Sequence, residues 1–148
     1  MKIYLACTVR GDRGGVAAGR AMCDRLHTLG HEVLTTHLLA DGVDEAEAAL
    51  PEADVFRRDL GWLEGCDVLV AEASGSSYGV GFEVGYVLSR APHTGQKAIV
   101  LYNTARRHAI SRVITGNCNP NCTTVAYSSI EELIAFIDQR FAAAAQAV

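Results

Sequence analysis

The sequence predicts an α/β fold: a doubly wound five-stranded parallel sheet in the order 2-1-3-4-5, with helices on both faces. Three observations point there. Short apolar runs alternate with helix-like segments along the chain, as in successive βαβ units. The stretches 3–7 and 68–71 are continuously apolar, as in strands covered on both faces. The chain has 148 residues, 49% hydrophobic and 20% charged, which suits one domain around one core.

The elements follow in order. Residues 2–7 form strand one. Residues 14–29 form a helix, because Val16, Met22, Leu26 and Leu29 recur near helical spacing and Gly30 ends it. Glu32–Thr36 is strand two. Residues 37–50 are polar and acidic, and read as a loop or a short frayed helix. Pro51 opens a helix to about Glu64, since proline suits a first turn. Asp67–Glu72 is strand three, Ala73–Val80 a serine/glycine loop, and a helix then runs to about Arg90. Lys97–Tyr102 is strand four, Arg107–Thr115 a short helix and Thr123–Tyr127 strand five. Ser128 caps a final helix, with Glu131 three residues on as a capping box, and the alanine-rich 142–148 fray. No repeat or linker interrupts the pattern, so residues 1–148 form a single domain.

Composition excludes several function classes. A net charge of −4 gives no basic face for a nucleic-acid polymer, although a few local cations can hold a small anion. No apolar run is long enough for a membrane span. The opening Met1–Cys7 is too short for a signal peptide, which implies the cytoplasm. Five cysteines, an odd count, argue against a disulfide framework, and Cys118 and Cys122 lack a second pair for zinc. No metal and no cofactor is expected.

In the 2-1-3-4-5 order the winding reverses between strands one and three. Ligands bind in the crevice beyond the carboxyl ends of such strands. The first loop there, Cys7–Gly15, offers Thr8, Val9, Arg10 and Gly11 among two guanidinium groups and three glycines, before a helix start that suits an anion. The second, Glu72–Glu83, carries three serines and three glycines, with Ser77 and Gly79 placed to cradle phosphate. Its glycine spacing is neither the dinucleotide fingerprint nor a P-loop. Glu83 stands near the start of an otherwise apolar helix, whose dipole favours a carboxylate. Asp59 shares a helix face with Trp62 and Leu63, and Tyr4 lies within the central strand, where its hydroxyl needs a partner. Taken singly, each also reads blandly: a solvated turn, a first-turn glutamate, an aspartate satisfied by arginine, a core tyrosine.

Together these residues resemble the Rcl-type 2′-deoxynucleoside 5′-monophosphate N-glycosidases, relatives of the nucleoside 2-deoxyribosyltransferases. The marks are Tyr4-Leu-Ala-Cys-Thr8-Val-Arg10-Gly11, Thr36-His37, Asp59-Leu-Gly-Trp-Leu, and Asp67-Val-Leu-Val-Ala-Glu72 followed by Ser77-Tyr-Gly79-Val-Gly-Phe-Glu83-Val-Gly85. The resemblance covers most of the chain. It implies that Glu83 is the nucleophile at the sugar C1′, oriented by Tyr4, with Asp59 assisting at the base or the sugar, for instance as proton donor to the leaving base. It implies that Thr8, Arg10, Ser77 and Gly79 hold the 5′-phosphate and that His37 lies beside the base. It further implies a homodimer in which Ser111 reaches the phosphate from the neighbouring subunit. Thr8 stands where relatives have serine, which keeps the hydroxyl. The stretch 38–54 shares little with relatives, so base preference does not carry over.

The expected activity is therefore hydrolysis of a deoxynucleotide to free base and 2-deoxyribose 5-phosphate. Transfer of deoxyribose to a second base is the alternative, since one covalent intermediate can meet water or base. A non-catalytic nucleotide-binding module is the third reading.

Overall fold

Alternation of side chains along the strands divides the molecule into two layers about one sheet. The computed structural model describes residues 1–142; of the tail expected to fray, 143–148 lie outside the described residues. The strands are β1 (Lys2–Ala6), β2 (Glu32–Val33), β3 (Val68–Glu72), β4 (Lys97–Asn103) and β5 (Cys122–Tyr127). All pair in parallel, in the order β2-β1-β3-β4-β5. The helices are α1 (Val16–Thr28), α2 (Val43–Ala48), α3 (Glu52–Gly65), α4 (Tyr78–Thr94), α5 (Arg112–Thr115) and α6 (Ile130–Phe141).

Ile3, Leu5, Val68, Val70, Ile99 and Leu101 point to one face, where Met22 and Leu26 of α1 and Leu133 and Ile137 of α6 cover them. Tyr4, Leu69 and Val100 point to the other, under Leu63 of α3 and Val80, Val84 and Val87 of α4. The side-chain period of two in a strand decides this split. It also puts Tyr4 in the same layer as α3 and α4, the helices that carry Asp59 and Glu83. No helix among the described residues is long and apolar enough to cross a membrane.

Helix α4 begins at Tyr78, inside the stretch read as a loop to Val80, and the larger shifts of expected boundaries have local reasons. Strand two stops at Val33, not Thr36. The Thr35 hydroxyl, in place of the main chain, meets the Leu5 N–H at 3.0 Å and donates to the Leu5 carbonyl at 2.6 Å. Residues 37–50 hold a 3-10 turn, Thr36–Leu39, and then α2, anchored by buried Val43. α4 continues past Arg90 to Thr94, through Pro92, and ends where Gly95 takes φ +75°. The stretch read as one helix, 107–115, is a 3-10 turn (Thr104–Ala109) followed by α5 with Ser111 as its N-cap. The last capping box also moves by one residue. Ser129 caps α6, accepting from the Glu132 N–H at 3.2 Å, and Glu132 reaches back to the Ser128 N–H at 2.8 Å. Adjacent serines and adjacent glutamates make the two registers equivalent in sequence.

Candidate active site

Tyr4 is fully buried in β1, so its hydroxyl must find a partner within the protein. It donates to Glu83 Oε1 at 2.7 Å, joining residues 79 positions apart. Glu83 projects from the second turn of α4 toward the sheet, in line with Val80, Val84 and Val87. Burial pushes the Glu83 carboxyl up to about 7. The Tyr4 hydrogen bond acts against this, and the charges of Asp59 and Glu47 add to it. Tyr4 is pushed upward in turn, first by burial and then by the Glu83 charge, so it stays a neutral donor.

Asp59 faces the same space from α3. Burial raises its pKa, and Arg58, donating through Nε at 2.8 Å, pulls it down. Arg58 also donates to Glu47 of α2 through Nη2 at 2.5 Å, and its guanidinium lies 5.0 Å from the centre of the Trp62 ring. One cation thus braces two carboxylates at the cavity wall. The cavity measures about 450 Å³, the scale of a nucleotide, and opens at the carboxyl ends of β1 and β3. Glu83, Asp59 and Glu47 line it, with Leu38, Leu50 and Val55 as its apolar side.

At the other end lie the two loops. Val9, Arg10, Ser77 and Gly79 line the cavity. Ser77 is the N-cap of α4, accepting from the Val80 N–H at 3.3 Å, so the long helix aims its free N–H groups here. Gly11 takes φ +95°, a turn few side chains tolerate. Thr8 is buried, and its Oγ1 has no hydrogen-bond partner among the described residues. Arg10 is largely exposed and donates through Nε to Asp44 of α2 at 2.6 Å. The other loop arginine, Arg13, is spent on structure, donating to the carbonyls of Thr8, Val9, Leu38 and Ala40.

The fold therefore brings Tyr4, Asp59 and Glu83 together, and places Val9, Arg10, Ser77 and Gly79 around the same cavity. Thr8 and Gly11 of the first loop do not line it, Thr8 lying buried just behind the wall, and neither does His37. Its Nε2 lies 3.3 Å from Glu47 Oε1, too poorly aligned for a hydrogen bond, with the ring against Trp62. Ser111 is exposed and lies off the cavity, capping α5 through the Val113 N–H at 3.3 Å. Sequence reasoning missed Glu47, Glu52 and Leu50, which reach the cavity only through the packing of 37–52, a stretch with no periodic signal of its own.

Comparison with known proteins shows the family and the fold. The family model for nucleoside 2-deoxyribosyltransferases matches residues 3–131. A Thermofilum pendens protein provisionally named a 2′-deoxynucleoside 5′-phosphate N-hydrolase is 41% identical over 138 residues, covering 93% of each chain. The 5-hydroxymethyl-dUMP N-hydrolase of Mus musculus is 35% identical over 117 residues, 77% of this chain and 64% of that one. The solved CMP N-glycosidase of Clostridium botulinum aligns with a TM-score of 0.66 at 18% identity, over 95% of this chain and 99% of that one, a likeness of fold. With residues 3–131 matched by the family model and a relative 41% identical over 93% of its length, this chain belongs to the nucleoside 2-deoxyribosyltransferase family.

Proposed function

We propose that this chain hydrolyses the N-glycosidic bond of 2′-deoxynucleoside 5′-monophosphates, releasing free base and 2-deoxyribose 5-phosphate. The observation that carries the reading is the 2.7 Å hydrogen bond from Tyr4 to Glu83 at the wall of a cavity shared with Asp59. The names of its relatives support the substrate class.

In the proposed reaction the Glu83 carboxylate attacks C1′ while the C1′–N bond breaks. The bonding pair leaves on the base nitrogen, and Asp59 supplies the proton. Water then attacks C1′, the ester to Glu83 breaks, and the proton from water returns to Asp59. The transition state carries positive charge on the sugar, which an anion beside C1′ stabilises. Burial raises both the Glu83 and the Asp59 carboxyl, and the charges of Asp59 and Glu47 raise Glu83 further, which favours keeping one proton on the Glu83–Asp59 pair near neutrality. The first step needs such a state: one ionised nucleophile and one available proton.

The 5′-phosphate is placed between Thr8, Ser77, the Gly79 loop and the start of α4. Arg10 turns from Asp44 to join it, and the unpaired Thr8 hydroxyl supports the same assignment. The working unit is a homodimer, with Ser111 of one copy completing the phosphate site of the other. Its exposed position away from the cavity supports a role in trans.

A panel of deoxy- and ribonucleoside monophosphates and unphosphorylated deoxynucleosides, scored for free base by chromatography, tests the reading. Base release from deoxynucleotides that disappears in Glu83→Ala is expected, and Arg10→Ala or Ser77→Ala should raise KM for nucleotides only. Equal turnover of unphosphorylated nucleosides would defeat it. A new deoxynucleoside on addition of a second base would select transfer instead.

A further inference from the structure

A second buried carboxylate closes β3 on the face of the sheet opposite Glu83. Glu72 is 1% exposed, and the proposed reaction makes no use of it. Its position continues the alternation of Val68 and Val70, so it points under α1, away from Tyr4. It accepts from the Ser74 main-chain N–H at 3.1 Å, from the Ser74 hydroxyl, and from the Tyr127 hydroxyl at 2.7 Å. Ser74 is equally buried. Its Oγ accepts from the Asn103 N–H at 2.8 Å, and its carbonyl accepts from Arg106 Nε at 3.1 Å. The carboxylate thus has its acceptors filled from β5 and from the loop that follows β3.

This network sits beneath the junction of the two phosphate-side loops. Gly15, at the start of α1, packs so close that a Cβ there would land in the Glu72 carboxylate. Gly75, next to Ser74, packs on the first loop. A Cβ there would strike the Asp12 carbonyl oxygen and lie 2.9 Å from the Thr8 hydroxyl. The chain of constraint is short: Glu72 fixes Ser74, Ser74 fixes Gly75, and Gly75 sets the gap between Thr8 and the approach to Ser77.

We infer that Glu72 is a positioning residue for the phosphate end of the site, holding the 7–15 and 73–77 loops at the spacing where Thr8 and Ser77 grip one anion together. The inference rests on the hydrolase reading above. It makes a specific demand on chemistry. Glu72→Gln keeps the volume and can still accept both hydroxyls through Oε1. Its amide group then faces the Ser74 N–H, donor against donor, and the loop must shift.

The test measures kcat, KM and thermal unfolding for wild type, Glu72→Gln and Tyr127→Phe on a cleaved deoxynucleotide. KM should rise about tenfold in Glu72→Gln and about threefold in Tyr127→Phe, with kcat held within about twofold. A lower melting temperature with KM unchanged, or a fall in kcat alone, overturns the inference and leaves Glu72 a purely structural residue. If Glu72→Gln does not fold, Tyr127→Phe decides by the same criteria. A wild type that releases no base sinks the hydrolase reading instead. Calorimetric titration with 2-deoxyribose 5-phosphate then decides this inference separately: weaker binding to Tyr127→Phe sustains it, and equal binding overturns it.

Discussion

A carboxylate held against Tyr4 beneath α4 titrates far from a free glutamate, and that displacement has consequences for both stability and rate. Glu83 sits at about 7 in the folded chain against 4.5 for an unperturbed glutamate. Between those values the native state holds a proton that the unfolded chain has released. The associated stability is therefore present below about 4.5 and is lost as pH rises through 7. Glu83→Gln should accordingly stabilise the fold at pH 8 by on the order of 1–3 kcal/mol. The gain should fade toward pH 4 in urea unfolding, while base release drops by at least about 10³-fold. Tyr4 makes the complementary prediction. Its hydrogen bond lowers the Glu83 pKa against the burial that raises it. Tyr4→Phe should therefore move the acidic limb of the rate profile upward, by roughly half to one pH unit. A variant that loses rate with an unmoved limb would mean that Tyr4 serves packing alone.

The two loops and the helices they open decide how much of the site could be read ahead of the structure. Gly75→Ala should cost about 1–3 kcal/mol, because its Cβ meets the Asp12 carbonyl of the opposing loop. Gly61→Ala, on α3 with open space around it, should gain about 0.5–1 kcal/mol from helix propensity. Thermal unfolding of the pair separates loop contact from intrinsic preference. The central strands were legible because strands buried on both faces are continuously apolar, as in Val68–Ala71, and their order followed as the simplest doubly wound arrangement with right-handed crossovers. Tyr4, Asp59 and Glu83 each put a polar group on an apolar strand or helix face, which alone left a bland reading open, and only the family resemblance joined the three. The end of β2 was not, since a single hydroxyl, Thr35, replaces the main-chain ladder there. Glu47 was not, because α2 is six residues long and is placed by Val43 and by Arg58 of another helix. Arg10 was recognised by type, but its pairing with Asp44 depends on a helix the sequence barely signals. Glu72 was visible as a strand-ending acid, yet its three donors come from Ser74 and from Tyr127, 55 residues away.

At the scale of the whole molecule, exposed apolar side chains cluster on α3 and α4, the helices that carry Asp59 and Glu83. Phe56 of α3 is 55% exposed, Phe82 of α4 51% and Val113 of α5 81%. The rings of Phe56, Phe82 and Tyr86 form a continuous run, 6.4 and 5.9 Å between successive centres, along α3 and α4. Tyr78, wholly exposed, joins this surface to the mouth of the cavity. Aromatic rings in such numbers suit a protein interface better than open solvent. If a second copy covers them and lends Ser111, then each site draws residues from two chains, and two impaired variants can repair one another when assayed well below the KM of Ser111→Ala. Mixed and refolded, Glu83→Gln and Ser111→Ala would form heterodimers with one site carrying both lesions and one carrying neither. Random pairing makes about half of all dimers mixed, so about a quarter of wild-type activity should return. Phe82→Asp should abolish that recovery and halve the mass seen in sedimentation. Recovery absent while the dimer persists would place Ser111 in its own subunit's chemistry, and a monomer with full activity would remove the partner from the mechanism altogether.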